Sequence, residues 1–260
     1  MMIKHRVLRF ALSVALFAAV GAPARAQLQV AAVNAASFEA NFPVSPGCWT
    51  TAFGDFASRG VVTTFADSLP FPPMLGGVQV FVNDTASPMN YAGGGQINFL
   101  VPAAAPQGRV PFRIAVSGMD IFNGMIDIFP VSPGLISINP ADPTRPGAVL
   151  NQDFTLNGPD NPAARGEVVQ IYGVGADFSE LPADGAAAPT DRLINTATET
   201  TVHVSVAEAF VGFSGLAPGL VNAWQINATV PDLSFIKGQV PVRAVVRGVS
   251  TNLVSIWVAE

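Results

Sequence analysis

The sequence is short of the residues on which most site chemistry is built. It holds one cysteine, Cys48, and two histidines among 260 residues. A lone cysteine excludes a disulfide framework, and zinc or copper sites, which need three or four nitrogen and sulfur ligands, have too few donors. Cys48 itself reads as a small buried hydrophobe in a strand. Charged residues make up only 12% of the chain, and the basic ones are scattered. The positive stripe that a phosphate backbone requires is missing, so nucleic acid is not expected as a partner. Long apolar runs are also lacking; the stretch from Phe10 to Val20 is too short to span a hydrocarbon core of roughly 30 Å. Lys4, Arg6 and Arg9 precede it and Ala24-Arg25-Ala26 follows, which is the layout of a cleavable secretory signal. Residues 1–26 are therefore expected to be removed, leaving a chain without a transmembrane anchor, secreted or held in the cell envelope. Their loss takes away four basic and no acidic residues, moving the formal charge from −5 to −9.

What is present points to β structure. Half the residues are hydrophobic, too many for a disordered polar chain. The 24 glycines and 22 prolines are spread along the sequence and leave little room for long helices.

The chain also repeats itself. Gln96-Ile97-Asn98-Phe99-Leu100-Val101-Pro102 returns as Gln225-Ile226-Asn227-Ala228-Thr229-Val230-Pro231, 129 residues later. Gly108, Val110, Pro111, Arg113 and Gly118 then match Gly238, Val240, Pro241, Arg243 and Gly248, and Ile126 and Ile128 match Ile256 and Val258. Upstream, Val78-Gln79-Val80-Phe81-Val82 aligns with Val202-His203-Val204-Ser205-Val206, and Gly47, Phe53 and Gly54 align with Gly166, Tyr172 and Gly173. The second copy carries longer connections after Gly173 and after Val206, and insertions in a repeat fall in loops. Apolar residues alternate along Val110, Phe112, Ile114 and Val116, and along Val240, Val242 and Val245 with one slip. Alternation of this kind marks half-buried strands, whose apolar face needs a second sheet. Pro111 and Pro241 cannot donate to a ladder and are expected on an edge or at a bulge. The expected architecture is all-β: two tandem immunoglobulin-like sandwiches at 27–130 and 131–260, with 131–147 as a semi-rigid proline-bearing link.

Particular residues carry a resemblance. Val33-Asn34-Ala35-Ala36-Ser37-Phe38, Pro46-Gly47, Leu75-Gly76-Gly77-Val78 and Gly95-Gln96-Ile97-Asn98-Phe99 resemble the first half of a C-terminal module common in exported acidobacterial proteins. Leu150-Asn151-Gln152-Asp153, Asn161 to Gly166, Gly215 to Gly219 and Gln225-Ile226-Asn227 resemble its later motifs in order. Each unit is similar to immunoglobulin-like domains of the IPT/TIG kind. The resemblance implies fold and compartment; that family has no established activity to carry over. Its module usually trails other extracellular domains, whereas here it follows the signal segment directly.

Candidate chemistry is sparse. His203 is read as a solvent-facing strand residue rather than a catalytic base. Asp153, Thr155 and Asn157 imitate the opening of a calcium loop, but Ala164 stands where a bidentate glutamate is required. An Asx-rich turn is the simpler reading of that segment. Gly173-Val174-Gly175 lacks the third glycine of a dinucleotide loop, with Phe178 in its place. Asp177, Glu180, Asp184 and Asp191 sit in one acidic loop that offers carboxylates for a hydrolase. Trp49, Trp224 and Trp257 invite sugar stacking, and Gln96 and Gln225 mark the repeated motif. No cofactor is implied. The functional expectation is a non-catalytic extracellular module contacting a protein or cell-surface partner, with Trp49, Trp224, Gln96 and Gln225 as candidate contacts. A carbohydrate-binding protein using exposed tryptophans is the alternative, and an unrecognised hydrolase a further one.

Overall fold

The computed structural model describes residues 28–40 and 42–260; the expected signal segment lies outside them. Alternation of apolar and polar residues yields strands throughout, and the only helical turn among the described residues is a 3₁₀ turn at Ala57–Arg59. The first unit contains β1 (Ala31–Asn34), β2 (Trp49–Phe53), β3 (Thr64–Phe65), β4 (Val78–Val82), β5 (Thr85–Ala86), β6 (Met89–Ala92), β7 (Gln96–Leu100), β8 (Gly108–Val116) and β9 (Met119–Ile128). The second contains β10 (Gly134–Leu135), β11 (Val149–Leu150), β12 (Val168–Val174), β13 (Thr200–Val204), β14 (Ala207–Ala209), β15 (Val211–Leu216), β16 (Trp224–Thr229), β17 (Gly238–Val246), β18 (Val249–Ser250) and β19 (Val254–Val258).

Each unit is a sandwich of two antiparallel sheets. The first pairs β1-β2-β7-β6-β3 against β5-β4-β8-β9; the second pairs β10-β12-β16-β15, with β11 also on β12, against β14-β13-β17, with β18 and β19 both on β17. Alternate strand positions supply the filling: Val80, Ile97, Phe99, Phe112 and Ile114 in the first unit, Val169, Ile171, Trp224, Ile226 and Val242 in the second. Phe99 of one sheet stacks on Phe112 of the other at a centroid distance of 5.5 Å. The fold is thus all-β with two tandem immunoglobulin-like sandwiches, as the alternation and the repeat require.

The two copies agree in register. Gln96 faces Phe53 as Gln225 faces Tyr172, and Val110 faces Ile126 as Val240 faces Ile256. Gly47 and Gly166 both have positive φ and donate N–H to Val101 and Val230 respectively, the same position of the repeated motif. Ser117-Gly118 and Arg247-Gly248 form equivalent turns with positive φ at both residues, the geometry that matches strand twist in a two-residue hairpin.

Three expectations need correction. Val82 faces Phe112 and Val204 faces Val242, so Val204 is the counterpart of Val82. The alignment upstream moves by two residues, His203 stands where Phe81 does, and Val206 is an exposed hairpin tip rather than a strand residue. On β17 the inward alternation runs without a slip through Val240, Val242, Ala244 and Val246. Pro111 and Pro241, moreover, lie on the inner strands β8 and β17, each flanked on both sides. Each carbonyl accepts the N–H of a hairpin residue, Asn83 at 2.8 Å and Ser205 at 2.7 Å. A residue's N–H and C=O point to the same side of a strand, so the missing donor faces the place where the neighbouring strand turns away. No ladder bond is lost there.

Candidate binding cleft between the two units

The units are held together by side chains that have no counterpart role within either core. Tyr91 lies seven residues before its partner Asn98, whereas Phe213 lies fourteen before Asn227. The second copy's extra length therefore falls between β15 and β16, where the first copy has only the Gly93-Gly94-Gly95 turn. That longer hairpin reaches the first unit: the Trp49 indole N–H donates to the Val221 carbonyl at 2.7 Å, and Asn222 Nδ2 donates to the Gly47 carbonyl at 3.0 Å. The connection after β12 adds two more bonds, from Phe71 N to the Gly185 carbonyl and from Ala103 N to Asp184 Oδ1, both 2.9 Å. Ala36, Cys48, Trp49, Leu100, Val174 and Val221 form one apolar cluster across the junction. The expected link contributes as well. Gly134–Leu135 pairs with the end of β12, and Ser132 N donates to the Gly175 carbonyl at 2.9 Å. Its first residues are an edge of the second sheet rather than a free tether.

Cys48 is fully buried in this junction, and burial pushes its thiol from 9.0 up to about 12, with hydrogen bonds from Ser45 and Thr50 opposing only in part. An unfolded chain would lose this proton near pH 9, the folded one only near pH 12. The stabilisation from keeping the thiol neutral is therefore complete below pH 9 and is lost as pH climbs from there. Two results are expected: no reaction with a thiol reagent until denaturant is added, and a fall in Tm above pH 9 that is shallower in Cys48→Ala. Rapid native-state labelling would refute the burial.

The sequence-derived contact residues fall into two groups. Trp224 is fully buried inside the second core, its indole N–H donating to Ser214 Oγ at 2.9 Å. It cannot present a ring to a ligand. Trp49 is 9% exposed and its N–H is engaged at the junction, so the reading of exposed tryptophans is corrected for both. Trp257 is half-buried and its backbone is bonded on both sides by Asn157. Gln96 and Gln225, by contrast, are half-buried on outer sheet faces and make the same bond: each Nε2 donates to the Oδ1 of the asparagine two residues on, at 2.6 and 2.9 Å.

Around those glutamines the sheets present a duplicated set of side chains. In the first unit Phe53 is opposite Gln96 and Tyr91 opposite Asn98; in the second Tyr172 is opposite Gln225 and Phe213 opposite Asn227. Residues opposite one another on an antiparallel pair share a face, so each unit has two aromatic rings flanking a bonded Gln–Asn pair. The rings of Tyr91 and Phe213 each lie over the glycine two residues further on, Gly93 and Gly215, where a Cβ would collide with them. Phe65 joins the first set, 70% exposed with its centroid 5.0 Å from that of Tyr91. Sequence reasoning missed these aromatics, although Phe53 and Tyr172 stand at matched repeat positions.

Both faces run into one cleft. A cavity of about 330 Å³ lies at the junction, lined from the first unit by Trp49, Phe71 and Asn98 and from the second by Ile136, Val174 and Ala223. Trp49 and Phe71 meet edge to face with centroids 5.6 Å apart. By strand alternation Trp49 and Asn98 belong to the outer face bearing Phe53 and Gln96, and Val174 and Ala223 to the one bearing Tyr172 and Gln225. A concave, mostly apolar space of this size between domains is the usual form of a small-ligand site.

The other candidate groups are engaged separately. Asp153 Oδ1 accepts the Thr155 N–H and hydroxyl in an Asx turn, and Asn157 is turned inward to Asn151 and the Trp257 backbone. The three do not converge as calcium ligands. Among the described residues there is no group of three or more His, Cys, Asp or Glu side chains placed to hold a metal. In the acidic loop Asp177 is met by Thr198 and Arg247, Glu180 by Arg192, and Asp184 by the Ala103 amide. The hydrogen bond from Arg192 holds Glu180 below the ordinary carboxylate range. His203 is half-buried between Glu208 and Arg243 on the neighbouring strands. No described helix is long and apolar enough to cross a membrane.

No family model and no curated protein matches the chain. Among solved structures it is similar to SGBP-B of the Bacteroides ovatus mixed-linkage glucan utilization locus, solved with a mixed-linkage heptasaccharide, at TM-score 0.37 and 14% identity over 86% of this chain and 44% of that one. It is also similar to the BSP domain of a biofilm associated protein, at TM-score 0.27 and 12% identity over 90% of this chain and 29% of that one. A third is the Plexin A4 extracellular region, at TM-score 0.25 and 11% identity over 88% of this chain and 18% of that one. The chain spans less than half the length of these structures.

Proposed function

We propose that this chain is a non-catalytic interaction module of the cell exterior, which holds a cell-surface partner on the joined pair of sandwiches. The observation that carries the reading is the convergence of two equivalent aromatic and amide faces on one cleft. Core residues are retained in a duplicated fold because both copies must pack. Outer positions carry no such demand, yet Gln-x-Asn and its two flanking aromatics stand at the same register in both. His203 is not among the residues that line the cleft, nor is any acidic side chain, so the duplicated surface offers recognition rather than bond-breaking groups. The basic-apolar-small pattern of the first 26 residues supports export.

Co-sedimentation of the full chain with envelope preparations of the producing cell tests this. The wild type is expected to pellet, and Phe53→Ala or Tyr172→Ala to shift at least five-fold toward the supernatant with Tm unchanged within a few degrees. A chain that stays in solution with every fraction, or that turns over an envelope component, would refute the proposal.

A further inference from the structure

We infer that the cleft and its two flanking faces bind a neutral glycan chain; the inference rests on the interaction reading above and adds the partner's chemistry. Three observations combine. The strand positions on these faces, from Trp49, Thr51 and Phe53 to Gln170, Tyr172 and Gln225, carry no charged side chain, in a chain whose formal charge is −5. A charged partner would find nothing here to pair with, and an uncharged one loses no ionic hydration on docking. Amides are presented in a particular state. Asn98 Oδ1 accepts from Gln96 and from the Thr51 hydroxyl at 3.0 Å, and Asn227 Oδ1 accepts from Gln225. The bond within each pair thus leaves the asparagine NH₂ as donor and the glutamine carbonyl as acceptor. A hydroxyl both donates and accepts, so adjacent donor and acceptor suit vicinal hydroxyls better than a carboxylate or an ammonium.

The third observation is spacing. Rings flank each amide pair in both units, and the Trp49–Phe71 pair sits between the units at the cleft. A pyranose has an apolar face and a polar rim, the combination served by an aromatic ring with amides at its edge. Along each strand, the step from one outer position to the next is roughly 6.6 Å at 3.3 Å per residue. Trp49, Thr51 and Val174 are themselves covered, so the open rings lie away from the cleft, Phe53 two steps from Trp49 and Tyr172 one step from Val174. A partner that meets both open rings is therefore an extended chain of several sugars rather than a single one.

Affinity electrophoresis of the full chain through gels containing glucan, mannan or xylan, with alginate and polygalacturonate as acidic counterparts, tests the inference. Retardation is expected from at least one neutral polysaccharide and from neither acidic one. Tyr172→Ala and Phe53→Ala should each weaken it at least ten-fold, Asn98→Ala and Gln225→Ala several-fold, and Phe154→Ala, on an exposed loop, not at all; Tm separates lost contact from lost fold. Envelope pretreatment distinguishes the two levels. If periodate abolishes co-sedimentation and protease does not, the glycan is supported. Should protease abolish it while periodate leaves it intact, the partner is a protein and this inference falls while the interaction reading stands. Binding to no fraction at all would remove both.

Discussion

Replacing Trp49 with alanine is expected to destabilise the chain by about 3–5 kcal/mol and to give two thermal unfolding transitions where the wild type is expected to show one. The ring is nearly buried, belongs to the cluster between the units, and spends its N–H on the carbonyl of Val221 in the other unit. Truncation leaves a cavity in the junction and an unpartnered carbonyl together, whereas each sandwich keeps its own filling. The units should then melt at their separate temperatures. Calorimetry checks this, with solution scattering expected to report a wider spread of shapes. Trp224→Ala makes the contrast: comparable in size, it lies wholly within the second core and should lower that unit's stability without separating the two. One unchanged, cooperative transition for Trp49→Ala would show that the bonds of the 217–223 hairpin do not couple the units.

Gly175→Ala is expected to be almost as damaging despite adding a single methyl group. Gly175 has φ of 77°, and a Cβ there would be driven into the Ser132 carbonyl. The left-handed backbone alone costs about 1–2 kcal/mol for a residue with a side chain. The collision adds to it, because neither partner is a flexible side-chain tip. The Gly175 carbonyl also accepts from Ser132 N and from the Ser45 hydroxyl, so any shift opens the junction. Gly166→Ala supplies the baseline, since its φ of 83° is equally left-handed while nothing lies near its Cβ. Denaturant titration should place Gly175→Ala at least about 2 kcal/mol below Gly166→Ala, a gap typical of forced overpacking. Equal losses would mean that the joint yields freely.

Much of this architecture can be read in the residues themselves, and the failures have physical causes. Matching Gln96 to Gln225 and Val110 to Val240 works because inward positions of a sandwich tolerate few residue types and turns demand glycine. Pairing Val78 with Val202 fails for an equally plain reason. Strand alternation has a period of two, so sliding by two residues keeps every side chain on its face and leaves the pattern unchanged. Only the hairpin resolves it. Asn83, Asp84 and Ser205 have positive φ, and that places the turn immediately after Val82 and Val204.

Trp224 was legible by the same rule. It stands two and four residues before Ile226 and Ala228, hence on the inward face. Nothing local could reveal the burial of Trp49, because the residues covering it come from an insertion 172 residues away. The aromatic set was obscured differently. Irregularities between Met89 and Tyr91 and between Val211 and Phe213 break the alternation just where the rings sit, so parity counted from the strand ends misassigns them.

The handshake between the copies works in one direction only. The gripping hairpin belongs to the second copy, while the first has three glycines in its place. The gripped surface belongs to the first, with Trp49 opposite Leu100; the second has Val168 opposite Thr229 there. Stacked repeat proteins extend because every copy can greet the next. Among the described residues the first copy lacks the gripping hairpin and the second lacks the gripped tryptophan, so the contact is asymmetric and its two halves are not interchangeable.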